Sequence, residues 1–256
     1  KIEDDNRIFP VSNSSLSIIE ALTKAADENK VQLNFSDGVQ DISKVDGGYQ
    51  ITTKSGTQFF ESIIITTGST PKFWKSLKGF GLKIVEPVPS LFTFNCKDSR
   101  IEGLMGISFE NTEVKINQQK LDAEGPLLIT HWGFSGPAIL RLSAWGALKL
   151  NDTAYKFDIE INFVNQTKDE VISLLNTKKQ QDAKKNIHQY NPFDFPKRFW
   201  ISILNYCQID EQKVYADLSK KQIETIATEL TQGVYKINGK STFKDEFVTA
   251  GGVDLK

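Results

Sequence analysis

Residues 125–140, GPLLITHWGFSGPAIL, set a histidine, a tryptophan and a serine where a strand-like apolar run ends. Leu127, Leu128 and Ile129 lead into His131, Trp132 and Ser135, while Gly133, Gly136 and Pro137 punctuate the passage to a helical pattern. A serine nucleophile on such a turn needs Gly-x-Ser-x-Gly, because its glycines let a strained elbow expose the hydroxyl. Gly133-Phe134-Ser135-Gly136 has a different spacing, and no aspartate nearby in sequence orients His131. A hydrolase is therefore disfavoured. The plainer reading is a tight strand-to-helix turn, with the glycines permitting it and Pro137 opening the helix. His131 is left with two readings, a satisfied structural group or a group facing a cleft. A helix N-terminus beside it would suit an anion or an electron-rich ring edge.

Other chemistry is thinly represented. His188 stands in the polar stretch KKNIHQYN, with no second ligand at metal spacing, so no metal site is expected. Lys178, Lys179, Lys184 and Lys185 make a local basic patch that a solvated helix end explains without nucleic acid. Neither GxGxxG nor GxxxxGK[ST] occurs, so no loop is shaped to cradle phosphate. Lys and Arg total 31 against 32 Asp and Glu, which supplies no bulk attraction to nucleic acid or to an anionic membrane. Cys96 and Cys207 lie far apart and read as reduced, buried thiols. With no signal-peptide pattern and no run long enough to span a bilayer, a cytoplasmic location without membrane contact is expected.

The chemistry-bearing residues need elements to hold them. Asn13 or an adjacent serine can cap a helix to about Asn29, with Leu16, Ile19, Leu22 and Ala26 on one face. VQLNF, GVQDISKV, YQITTK and FFESIIITTG then read as strands. The last suggests a strand returning to a parallel sheet after a β-meander. From about residue 71 to 165 strands dominate around one helix near 136–148, as in an antiparallel sheet or small barrel. Residues 166–232 read as a helical insertion. Thr167 with Glu170 makes a capping box, Pro196 opens a helix, and Ser219 with Gln222 opens another. Residues 233–253 return to β character. Lys1 opens in a polar segment and Lys256 follows a strand-like run, so the chain reads as part of a longer one.

Five stretches in order, DDNRIFPVSNSS, SIIITTGSTPKFW, EPVPSLFTFN, GPLLITHWGFSGPAILRLSAW and FVTAGGVDLK, resemble the BaiN-like family of bacterial flavoproteins. That family is often labelled NAD(FAD)-utilising dehydrogenases and includes aminoacetone-oxidase-like members. The resemblance spans essentially the whole chain, and THWGFSGPAIL and TAGGV carry most of it. It implies a multidomain α/β plus β plus α fold. Part of a two-dinucleotide-binding FAD domain (residues 1–70) is interrupted by a β-barrel-like domain (71–165 and 233–250). The barrel carries the helical insertion (166–232), and the return to the FAD domain begins at 251–256.

The resemblance also implies a flavin site. Arg7, Phe9 and Pro10 match a stretch lying near the flavin, and Val39 a position whose backbone meets the adenine. Thr67 and Gly68 match a strand end that lets backbone approach the cofactor, although Ser69 replaces the second glycine of the usual pair. Gly251 and Gly252 match the return to the FAD domain, and His131 would face the cleft above the isoalloxazine. The activity implied is an FAD-dependent oxidoreductase, passing hydride between a small-molecule substrate or NAD(P)H and the flavin. The isolated chain would hold FAD weakly. The alternative is a non-catalytic module whose helical insertion docks a partner protein. The residues leave substrate identity, NADH against NADPH and oligomeric state open.

Overall fold

The computed structural model describes residues 1–3, 7–241 and 248–255, so residues 242–247 of the expected final β-run lie outside the described residues. The chain divides between Gly81 and Leu82 into two units.

The first unit begins with α1 (Ser15–Glu28), capped by Ser14, whose hydroxyl accepts from the Leu16 amide at 3.3 Å. Leu16, Ile19 and Leu22, which share one face, are exposed. Three strands, β1 (Asp41–Val45), β2 (Gly48–Thr53) and β3 (Gly56–Phe60), form the expected antiparallel meander, with Ile42 opposite Ile51 and Gln50 opposite Phe59. The strands expected at 31–35 and 63–66 do not form. Leu33 and Phe35 in the first and Ile64 in the second are exposed, and the described residues provide no parallel partner. An isolated apolar run has no ladder to hold it extended. Helix α2 (Pro71–Gly79) packs on β1, and Phe80 meets Tyr49 edge-on at 6.0 Å. These contacts carry the first unit past the expected boundary at residue 70.

In the second unit, β4 (Ile84–Ser90) pairs with β11 (Val248–Val253) as a two-stranded antiparallel ribbon. Between them lie β5 (Thr93–Cys96), β6 (Ser108–Ile116), β7 (Leu121–Ile129), β8 (Gly133–Ser135), α3 (Pro137–Trp145) and α4 (Ala147–Asp152). Then come β9 (Phe157–Asn162), α5 (Lys168–Gln181), α6 (Lys197–Tyr206), α7 (Lys220–Gln232) and β10 (Gly233–Ser241). Strands β10-β5-β8-β7-β6-β9 close an antiparallel barrel in that order. Alternation makes the barrel interior: Phe157, Ile159 and Ile161 on β9 point inward with Tyr235 and Ile237 on β10. Strand β6 bends at a register shift between Phe109 and Thr112. Gly146 divides the expected single helix into α3 and α4.

The helical insertion fills the connection from β9 to β10. Both capping boxes form, Thr167 with Glu170 and Ser219 with Gln222. The apolar faces turn inward: Val171, Leu175, Phe199, Trp200, Ile223 and Ile226 are buried. Phe199 lies 4.7 Å from the Phe109 ring of β6 and 4.9 Å from Phe163, so helices and barrel share one core. Among the described residues no helix is long and apolar enough to cross a membrane.

One ion is buried where these elements meet. The Arg100 side chain, 3% exposed, contacts Asp98 and Glu229 of α7 at 2.7 Å each. It also donates to the Val234 carbonyl and covers the Tyr235 ring at 3.7 Å. Burial alone would raise the Asp98 carboxyl, but hydrogen bonds from Arg100 and its charge hold it below the ordinary carboxylate range. Replacing Arg100 with alanine strands two partly buried carboxylates, and a loss of about 3 kcal/mol is expected in urea unfolding. Because the Asp98 pKa is depressed by folding, its contribution is complete above its unfolded value of about 4 and is lost as pH falls through the folded value. Asp98→Asn should flatten that part of the acid limb of the stability curve. An unchanged limb would show that the pair contributes nothing there.

Candidate functional site

A cleft of about 620 Å³ opens in the second unit. One wall is the turn after β7, with Thr130, His131 and Gly133. The other comes from the loop after β5, with Cys96, Lys97, Ser99, Glu102 and Met105 among its residues. His131 is exposed to this cleft, one of the two positions its place in the sequence allows.

The turn carrying His131 is held by backbone. The Thr130 amide donates to the Gly133 carbonyl at 2.7 Å, the Trp132 amide to the Thr130 hydroxyl at 3.2 Å, and the Cys96 amide to the Trp132 carbonyl at 2.8 Å. Gly133 has φ +145°, and a Cβ there would sit 2.3 Å from the Phe94 carbonyl and 2.5 Å from the Cys96 amide. At Gly136, φ is +98° and a Cβ would lie 2.8 Å from the Pro126 carbonyl. Close approach of β8 to β5 and β7 therefore explains both glycines. Ser135 sits within β8, opposite Leu128, and accepts from the Thr93 hydroxyl at 3.3 Å. It lies in a paired strand, where a nucleophile elbow has no place.

Cys96 lines the cleft as a free thiol. Burial, reinforced by the Asp98 charge and opposed by Arg100, pushes it up to about 12, so it is protonated at neutral pH. Cys207 is also free, buried and raised to about 12. His188 is buried, with Nε2 3.2 Å from the Ile209 carbonyl, which makes it a structural group. Asp182 pairs with Lys178 at 3.1 Å and Lys185 at 2.8 Å, neutralising part of the basic patch. Among the described residues no cluster of three His, Cys, Asp or Glu could hold a metal.

The other residues implied in flavin binding lie elsewhere. Arg7, Phe9, Pro10, Val39, Thr67 and Gly68 belong to the first unit, and Gly251 and Gly252 to β11. The Arg7 guanidinium covers the Phe9 ring at 5.6 Å, and the Pro10 carbonyl accepts from the Asn13 amide at 3.0 Å. The Val39 carbonyl accepts from Lys72 Nζ at 3.4 Å, and the Thr67 carbonyl from the Thr70 hydroxyl at 3.0 Å. Nothing lies within 4 Å of a Cβ built on Gly68, whereas one on Gly251 would be 2.9 Å from the Val85 and Glu86 carbonyls. Gly47 and Gly56 share the open surroundings of Gly68, and no glycine-rich phosphate loop is among these residues.

Two participants escaped the sequence reading. Lys97 looks like an ordinary surface residue in sequence, and Arg100 gains its meaning from Glu229, far along the chain.

Residues 88–248 match the family described as HI0933-like protein barrel and H2TH domain. Two curated relatives, each named ribosomal RNA dihydrouridine synthase, are also similar. The one from Haemophilus influenzae is 25% identical over 258 residues and the one from Escherichia coli 22% identical over 254. The alignments cover 93% and 94% of this chain and 60% of each relative, so the chain spans about 60% of their length.

Gly133→Ala forces a Cβ onto backbone atoms at a left-handed φ. It should lose about 3 kcal/mol or more in urea unfolding, whereas Ser135→Ala should lose less than about 1 kcal/mol. Equal, small effects would mean that β8 can shift away from β5.

Proposed function

The chain belongs to the HI0933-like barrel and H2TH domain family, and we propose that it forms the substrate-side barrel and helical part of an FAD-dependent oxidoreductase. The observation that carries this reading is the cleft at His131, built on a barrel strand end whose turn is fixed by backbone hydrogen bonds. FAD, when bound by the longer protein, supplies a hydride donor and acceptor, with NAD(P)H as its source of electrons.

This chain's own residues would bind and orient the substrate and move its proton. His131 is the group in the cleft whose imidazole can give or take a proton through a ring nitrogen. The Cys96 thiol stays protonated beside it and so presents no negative charge to the substrate. Arg100 acts through the cleft wall that it anchors.

A small-molecule substrate is one reading, favoured by the balanced charge of the chain. The names of the two relatives favour a second, a uridine within RNA. Dihydrouridine differs from uridine by one hydride and one proton added across a ring C=C bond. That balance matches a hydride from reduced flavin and a proton from a cleft acid. The partner-docking alternative has less support, because the inward helix faces leave Tyr190 and Tyr206 as the exposed large hydrophobic residues of the insertion.

In the full-length protein, His131→Ala should lower turnover about 100-fold while the bound-flavin absorbance spectrum stays unchanged. Unchanged turnover would remove His131 from the chemistry. A colourless protein that takes up no FAD would remove the oxidoreductase reading itself.

A further inference from the structure

Proton transfer at His131 leaves the helical insertion without a task, yet the insertion grips the cleft. The cleft wall from Lys97 to Met105 lies between β5 and β6 in no helix or strand, so no ladder fixes its course. Its far end is tied to β7, where the Gly106 amide donates to the Ile129 carbonyl at 2.9 Å. Nearer the middle, the insertion takes hold. The Arg100 guanidinium meets Glu229 of α7 at 2.7 Å, and Ser202 of α6 donates to the Arg100 carbonyl at 2.9 Å. Arg198, also of α6, donates from Nη1 to the Gly103 carbonyl at 3.3 Å. Ile101 and Leu104 are buried in the same core as Phe199 and Leu230 of the insertion.

These holds differ in kind. Burial of Ile101 and Leu104 keeps the wall down, but apolar contact has no direction and sets no angle. The pair of Arg100 with Asp98, at 2.8 and 2.7 Å, is internal to the wall and would travel with it. Glu229 is a carboxylate from outside the wall, 129 positions along the chain, and its charge-assisted bond fixes both distance and angle. We propose that the helical insertion positions the substrate cleft: Glu229, through Arg100, and Arg198, through Gly103, hold the wall that carries Asp98 and Glu102 across from His131. The inference rests on the cleft being the substrate site and gives the insertion its role there. Glu229 and Arg198 are positioning residues, because neither is among the residues lining the cleft. The inward-turned faces of α5, α6 and α7 agree with a supporting element, since their apolar surface is used inside the second unit.

The test is hydrogen–deuterium exchange of the full-length protein, read by mass on the wall peptide 97–106 and on β9, 157–162, as the internal control. Iodoacetamide labelling of Cys96, which lines the cleft at 6% exposure, is the second readout. Glu229→Gln keeps the volume and removes the charge, whereas Glu229→Asp keeps the charge at a shorter reach. Glu229→Gln should speed wall exchange and Cys96 labelling about tenfold, with β9 unchanged. Glu229→Asp should restore most of the protection. Arg198→Ala should speed wall exchange by a smaller factor, about threefold, because its bond is longer and exposed. A packing role gives the reverse order, with Glu229→Gln quiet and Glu229→Asp loose, and that order overturns the proposal. So does a wall that keeps its protection in Glu229→Gln, or one that opens only together with β9, which is loss of global stability. Neither readout needs flavin or turnover. A wall loosened by Glu229→Gln in a protein that takes up no flavin would sink the redox reading and leave the positioning role. Turnover lost in His131→Ala beside a wall indifferent to Glu229 would do the opposite.

Discussion

A guanidinium taken out of water sets the arrangement of the second unit. Arg100 is tolerable at 3% exposure because all its faces are answered: Asp98 by a two-point contact at 2.8 and 2.7 Å, Glu229 at 2.7 Å, the Val234 carbonyl, and the rings of Tyr235 and Tyr206. Its backbone is held as well, since the Arg100 carbonyl accepts from Ser202 of α6 at 2.9 Å. The partners come from the loop after β5, from α6, from α7 and from β10. None can move without stranding a charge in the protein, which is the costly state. The same loop supplies the wall of the cleft. A rigid ion network beneath an open site is how a loop can present side chains accurately.

Close backbone approach fixes the opposite wall. With no Cβ at Gly133, β8 presses onto β5, and Phe134 reaches the fully buried interior against Tyr235 at 5.0 Å. Tyr235 thus joins the two walls: one ring packs on Phe134 and lies under Arg100. Its hydroxyl is buried without a hydrogen-bond partner among the described residues. An unpaired hydroxyl costs about 1–3 kcal/mol, so the ring face must return more than that through packing and the cation above it.

Local signals in the sequence were sound where local physics decides. The capping boxes at Thr167 and Ser219, the cap beside Asn13, the strand alternation of β9 and the helical insertion were all legible, because each depends on residues within a few positions. The runs at 31–35 and 63–66 were misread as strands because a strand exists through partners, and composition does not supply one. Barrel closure was half visible: the strands could be counted, but the pairing of β9 with β10 spans the whole insertion. Within the site, His131 stood out as a rare residue at a strand end. Arg100 did not, since charged residues near the surface of a sequence look alike until the fold buries one.

These two walls explain why rigidity and exposure meet at one place. The buried side chains of the second unit are locked by aromatic contacts, Phe94 with Phe157 and a chain from Phe134 through Tyr235, Phe163 and Phe199 to Phe195. Fixed backbone means that the entropy of ordering the turn at 130–133 has been lost on folding and is not lost again on binding. His131 and Lys97 then line the cleft from that frame with only their own rotamers left to settle. A ligand entering the cleft therefore meets a pre-organised backbone. The glycine at 133 and the ion at 100 are far from interchangeable with other residues for that reason, though neither has a chemical step of its own.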